Sequence, residues 1–552
     1  MALGYLTLVL HAHLPFVRHP EHDDFLEEDW LYEAITETYL PLLEVFEELR
    51  RDKVHYRVTM SFSPTLCAML ADPLLQSRYL RYLDNLIALT TRELDRTRWQ
   101  AEFYLVVEMY INRLTRCRNQ WTTLGGNILT GFRTLAQQGY LELMTCAGTH
   151  AFLPLMNQPE AIRAQLRLGV TEFEKHFGWK PRGIWLPECG YFPGLDDLLA
   201  RENLGYFFTD THGVMLSEPR PRYGVFAPLR CSHSGIVVCG RDTESSRQVW
   251  SAIEGYPGDY AYRDFYRDIG FDLDEEYLKP HTHRTGHRHF TGLKYYRITG
   301  RTDDKKPYCP AAARKRASEH AVEFRFNREK QCEWLSGGMN DLPALIVAPY
   351  DAELFGHWWF EGPDWLGFLL RGLAGSPTLE TITIPEYLRR HPRLQMAQPA
   401  FSSWGQGGYS SVWLEASNDW IYPHLHEITD RTIEHATAFA DPTPIQTRLL
   451  NQMGRELSLA QASDWAFMMK AGTAADYATQ RTVTHIHRFF DLEKMLATGE
   501  VELDVLTEIE RRDNLFADLD CRIWRREPVP TYALPMPVKE IRIPKEVPEA
   551  SL

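Results

Sequence analysis

The chain has 552 residues, a formal net charge of −14, 44% apolar and 24% charged side chains, and 12% aromatics, the one unusual proportion. These values fit a globular enzyme and exclude a disordered or fibrous protein. At ~150 residues per domain the length allows three or four domains, or one large α/β barrel with a partner. The acidic balance argues against nucleic acid or an anionic membrane as the main partner, because both are held through excess Lys and Arg.

The first element, Tyr5–Leu10, is an apolar run with no basic segment before it. It predicts a buried strand rather than a targeting peptide, and no run reaches the ~18 apolar residues of a membrane helix. Nine cysteines without paired spacing point to free thiols in a reducing, cytoplasmic setting. Leu31, Ala34, Ile35, Thr38, Leu42, Val45, Phe46 and Leu49 then share one helical face. Further strands are predicted at Tyr56–Met60, Leu141–Cys146, Gly183–Leu186, Tyr206–Phe208, Ile236–Val238, Leu345–Ala348 and Thr381–Ile384, with helical patterns between several. That alternation implies a parallel sheet, and chemically rich residues after the strand ends favour a barrel. Two stretches interrupt it, a mostly helical one at about 72–139 and a second at about 250–338. After Ile384 the strands are expected to stop, and a helical domain follows. Six prolines after Glu527 give an extended tail. The expected division is a catalytic barrel over 1–396, a helical domain over 397–526 contributing to the substrate cleft, and a proline-rich tail over 527–552.

No GxGxxG or GxxxxGK[ST] follows a strand, so no phosphate cradle is present, and no Gly-x-Ser-x-Gly elbow exists. Glu188, in Gly183-Ile-Trp185-Leu-Pro187-Glu188-Cys-Gly-Tyr191, stands just past a strand beside aromatic walls, and suits a nucleophile. It is equally suited to capping or ion pairing. Asp351 and Glu353, followed by His357, Trp358, Trp359 and Phe360, form a dense cluster at another strand end. Either acid suits a general acid whose pKa its surroundings raise. His11 and His13 point the same way from strand one, toward metal, as in deacetylases, or toward sugar hydroxyls. His150 has the same two readings. The tract His281, His283, His287 and His289 reads as a solvated loop, and Trp404 and Trp413, in a Gly-rich link, read as platforms for pyranose faces.

Several of these segments, with Gly148-Thr-His150-Ala-Phe-Leu-Pro154, Gly240-Arg-Asp242, Thr291-Gly-Leu-Lys-Tyr-Tyr-Arg297 and Ser463-Asp464-Trp465, span residues 5 to about 470 in one order. In that order the chain resembles glycoside hydrolase family 57, in particular its 1,4-α-glucan branching enzymes. The resemblance implies an incomplete (β/α)7 TIM-like barrel with a C-terminal all-α domain, and no cofactor or metal. It implies a retaining mechanism with Glu188 as nucleophile and Asp351 as general acid/base, whose carboxyls approach to ~5–5.5 Å. His11, His13, His150 and Asp464 would position the donor sugar, and Trp30, Trp404 and Trp413 would line the cleft. Trp185, Arg263 and Phe271 would be further substrate contacts. The implied partner is an α-1,4-glucan as donor and acceptor, the protein being a monomer or weak homo-oligomer. The alternatives are an α-amylase-like hydrolase, a 4-α-glucanotransferase and, more remotely, a metal-dependent polysaccharide deacetylase using His11 and His13. Two positions depart from the branching pattern. The stretch 227–235 lacks the Tyr of a covering loop, leaving His233 as the alternative cover, and Phe271 stands where a Trp is expected. Both bear on whether the covalent intermediate reaches a sugar or water.

Overall fold

A computed structural model describes residues 2–251, 254–282, 288–339 and 342–526; the proline-rich tail, His283 and His287 lie outside them. Ten strands form one sheet: β1 (Gly4–Ala12), β2 (Val58–Phe62), β3 (Leu141–Cys146), β4 (Gly183–Trp185), β5 (Tyr206–Thr209), β6 (Leu229–Arg230), β7 (Val237–Gly240), β8 (Ala344–Asp351), β9 (Leu379–Thr381) and β10 (Gln395–Met396). All nine positions of β1 and all five of β2 are buried, which is why they read as continuous apolar runs without alternation. The order is β10-β6-β7-β5-β4-β3-β2-β1-β8, with β9 beside the start of β1. Every pairing is parallel except β6 with β7. Asp242 N–H donates to Val347 O at 2.9 Å, so the end of β7 meets β8. Seven parallel strands thus make the incomplete barrel that the motif order implies.

Helices fill the first interruption at Pro73–Thr97, Ala101–Thr123 and Leu129–Gln137, and the second ends in a long helix, Pro310–Ser336. Five helices follow between Ile421 and Arg512. Two strand expectations need correction. The run Thr381–Ile384 straddles a boundary: β9 ends at Thr381, and Thr383 with Glu386 forms a capping box that starts a helix at Ile384. Strands also continue past Ile384, because β10 pairs with β6. At two residues each, these strands are too short to carry a pattern. All nine cysteines are free, eight of them buried. No helix of the described residues is long and apolar enough to cross a membrane.

Candidate active site

The chemistry gathers at the carboxyl ends of the barrel strands, where the loops share one mouth. Register does the first part. His11 lies opposite Ser61 of β2 on one side and Asp351 of β8 on the other. The backbone then bends sharply where function requires it: His150, Glu188 and Cys189 all have φ between +52° and +61°, outside what side chains with a Cβ favour. Each such residue costs ~1–3 kcal/mol, so the surrounding packing must hold it in place.

Glu188 is held at both oxygens. Trp404 Nε1–H donates to Oε2 at 2.6 Å and Ser463 Oγ–H to Oε1 at 2.9 Å, while Trp404 N–H also binds the Glu188 carbonyl at 2.8 Å. Ser463 opens the helix Ser463–Ala471, and its own N–H reaches His150 O, tying the helical region to the barrel mouth. When Glu188 is ionised it takes the single Ser463 proton, and His150 Nδ1–H then donates to Ser463 Oγ, 2.8 Å away. His150 Nε2 is then an acceptor, and His11 Nε2–H supplies the proton across 3.0 Å. Donors therefore run from His11 through His150 and Ser463 onto the carboxylate.

His13 plays a separate part. Its Nε2 meets both oxygens of Asp464 at 3.1 Å, its Nδ1 meets Ser63 Oγ at 2.8 Å, and its ring stacks on His150 at 3.7 Å. Burial alone would lower its pKa, but Asp464 outweighs it and raises it, whereas burial and the neighbouring His13 lower His11 and His150. Of the three stacked rings, the one paired to a carboxylate is thus the one whose charged form its surroundings favour. His13, His150 and Asp464 present ligand atoms within 4.8 Å of one another, a set able to hold a metal ion. A metal there would replace the His13–Asp464 hydrogen bonds.

Asp351 ends β8 with no hydrogen bond from a described residue to its carboxyl. Burial, then the charges of Glu353 and Glu188, hold its pKa well above the usual carboxylate range, opposed by Arg241. Burial also pushes Glu188 up, but the bonds from Trp404 and Ser463 pull back and it rests at about 7. Burial thus pushes both carboxyls up, with two donors holding Glu188 back and none among the described residues holding Asp351. Glu353, the other acid of the cluster, is committed elsewhere. It accepts from Tyr39 Oη–H at 2.5 Å and from His13 N–H at 3.1 Å. Its charge is one of the causes that raise Asp351.

A π-helical turn, Ile35–Tyr39, aims both Tyr39 and Glu37 at this loop. Gly356, at φ +116°, lies so close that a Cβ there would stand 1.8 Å from Glu37 O. Glu37 binds Arg263 at 2.9 Å and His357 Nδ1 at 2.8 Å. Arg263 also donates to Tyr110 Oη and His357 O. It is buried and braces the His357 turn, and it also lines a groove beside Leu354 and Trp358.

Two tryptophans are corrected. Trp413 is 1% exposed and stacked on Phe152 at 4.7 Å, so it plugs the contact between barrel and helices and presents no face to a sugar. Trp185 is wholly buried, stacked beneath His11 at 5.0 Å and edge-on to Trp404 at 5.2 Å. It is the floor under the contacts. Trp30 packs edge-on to Tyr477, and Phe271 stands half exposed against Phe290. His233 sits in the turn entering β7, at the amino end of a barrel strand, on the face opposite the acids. It covers nothing there. Of the His tract, His281 binds Asn85. Ser61, Ser63, Tyr39, Glu37 and Ser463 escaped sequence reading. Only Ser463 had a signal, its place beside Asp464.

The family model described as Glycosyl hydrolase family 57 matches residues 7–324, and one described as 1,4-alpha-glucan branching enzyme, C-terminal, matches 424–524. A 1,4-alpha-glucan branching enzyme of Thermococcus kodakarensis is 34% identical over 93% of this chain and 77% of its own length. Among solved structures, an alpha-amylase from Thermotoga maritima is 43% identical with a TM-score of 0.90, covering 96% of this chain and all of that one. A branching enzyme from Pyrococcus horikoshii is 33% identical with a TM-score of 0.85, covering 96% and 98%.

Proposed function

The chain belongs to glycosyl hydrolase family 57, and from that membership and the two contrasting carboxyls at its barrel mouth we propose a retaining 1,4-α-glucan branching enzyme. The single observation that carries the reading is the contrast at the barrel mouth. Glu188 accepts from two donors that hold it at about 7 against the push of burial, whereas Asp351 has no donor among the described residues and burial with the charges of Glu353 and Glu188 raises it well above the usual carboxylate range. Glu188 attacks the anomeric carbon of an α-1,4-linked donor while Asp351 protonates the departing oxygen. Asp351, now ionised, takes the proton of the incoming 6-hydroxyl as the new C1–O bond replaces the bond to Glu188. His13 and Asp464, part-exposed at the mouth, orient the donor sugar; His11 and His150 act from behind them through Ser463 on Glu188, and Trp404 is both wall and hydrogen-bond donor. The substrate is a neutral α-glucan, which needs stacking surfaces and hydroxyl partners rather than a basic patch. A barrel over 1–396 and helices over 397–526 share the cleft, in a cytoplasmic monomer or weak homo-oligomer.

Water as the acceptor is the second reading, favoured by a specific observation. The 227–235 stretch folds into a hairpin at the far face of the barrel and leaves the mouth without a cover from that segment. Incubation with amylose separates the two. Branching predicts new α-1,6 linkages exceeding new reducing ends, and reducing ends alone would replace it by hydrolysis.

A further inference from the structure

A groove of about 1030 Å³ lies beside the Asp351 loop and takes no part in the chemistry above. Leu354, Trp358 and Trp359, all from the turn that follows Asp351, form one wall; Trp250, Tyr266 and Arg301 of the second insertion face them. Trp358 is 45% and Tyr266 80% exposed, two large rings left in solvent at the edge of a catalytic mouth. The groove adjoins that mouth through Trp250. Trp250 stands edge-on to Trp404 at 6.1 Å and 6.4 Å from Trp358, and Trp404 is the residue that donates to Glu188.

Which part of a glucan belongs there follows from the chemistry. In a retaining displacement the acid/base serves the leaving oxygen first and the incoming hydroxyl second, so both chains lie on its side of the scissile bond. The donor sugar lies on the other side, with His13 and Asp464. One wall of this groove, Leu354, Trp358 and Trp359, grows from the turn that follows Asp351. Resting on the branching-enzyme reading, we infer that this groove binds the leaving chain in the first step and the acceptor chain in the second. Sugar faces stack on Trp358 and Tyr266, and the exposed Arg301 and Thr302 reach the hydroxyls. In the second step the acceptor 6-hydroxyl forms its bond to C1 as the C1–Oε bond of Glu188 breaks, and its proton passes to Asp351.

The test uses the full chain with α-maltosyl fluoride as donor, whose fluoride leaving group needs no sugar in the groove, and maltoheptaose as acceptor. Donor and acceptor KM are measured for the wild type, Trp358→Ala, Trp358→Phe and Tyr266→Ala. We expect both alanine variants to raise the acceptor KM about ten-fold relative to the donor KM, with Trp358→Phe recovering most of it because a flat apolar face remains. An acceptor KM that stays level with the donor KM in both alanine variants overturns the inference. So does a wild type that releases fluoride but shows no saturable response to maltoheptaose. No fluoride release from the wild type would overturn the glucan reading itself, and this inference with it.

Discussion

Replacing Trp404 by Phe removes one hydrogen-bond donor from Glu188 and little else. The ring still packs against Trp185, and the backbone bond from residue 404 to the Glu188 carbonyl remains. What disappears is the 2.6 Å indole donor on Glu188 Oε2. A hydrogen bond to a charged group contributes ~1.5–3 kcal/mol. At 1.36 kcal/mol per unit this equals ~1–2 pKa units, raising Glu188 from about 7 to ~8–9. The ionised fraction at pH 7 then falls from about one half to ~1–10%. Because kcat/KM reports the free enzyme, it should fall roughly five- to fifty-fold at pH 7 and recover much of that loss by pH 9. The assay is kcat/KM for maltoheptaose across pH 5–10, with wild type and variant side by side. An acidic limb that stays in place, or a loss equal at every pH, would refute the argument that this indole sets the ionisation of Glu188.

Glu188→Gln should abolish turnover of amylose and raise thermal stability at once. A carboxyl whose folded pKa is about 7 against 4.5 unfolded holds its proton more tightly when folded, so its ionisation erodes stability as pH rises from 4.5 through 7. The erosion is on the order of 3 kcal/mol above pH 7, and calorimetry should find the variant's Tm higher by ~2–3 °C at pH 8 but not at pH 4. Tyr39→Phe removes the 2.5 Å donor to Glu353 and favours its protonated form. Asp351 then loses a repelling charge, so its pKa falls and the basic limb of kcat/KM should move to lower pH; a stationary limb would sever the link between the two acids. Trp413→Ala should act on stability instead. Removing a fully buried indole stacked on Phe152 costs ~3–5 kcal/mol, seen as a lower Tm with KM for maltoheptaose little changed. A raised KM at unchanged Tm would restore the platform reading.

Much of this protein was decided locally along the chain. The alternation of apolar runs with helical faces set a parallel barrel, because strands buried on both faces leave continuous runs such as Tyr5–Leu10. Glu188, Asp351, His11, His13 and His150 announced themselves by standing just past those runs, where a barrel places its mouth. The acidic charge and aromatic excess agreed with a neutral polysaccharide. Tertiary structure alone decided what each group does, because the deciding contacts join residues far apart. Ser463 and Glu188 are separated by 275 positions and Tyr39 and Glu353 by 314, so no local pattern records either bond. Trp404 and Trp413 share one Gly-rich segment, yet one donates to Glu188 and the other fills the core. His233 shares the neighbourhood of β7 but occupies its wrong end. Composition and periodicity fix what a segment must bury; only strand direction, register and long-range packing fix which group it then meets.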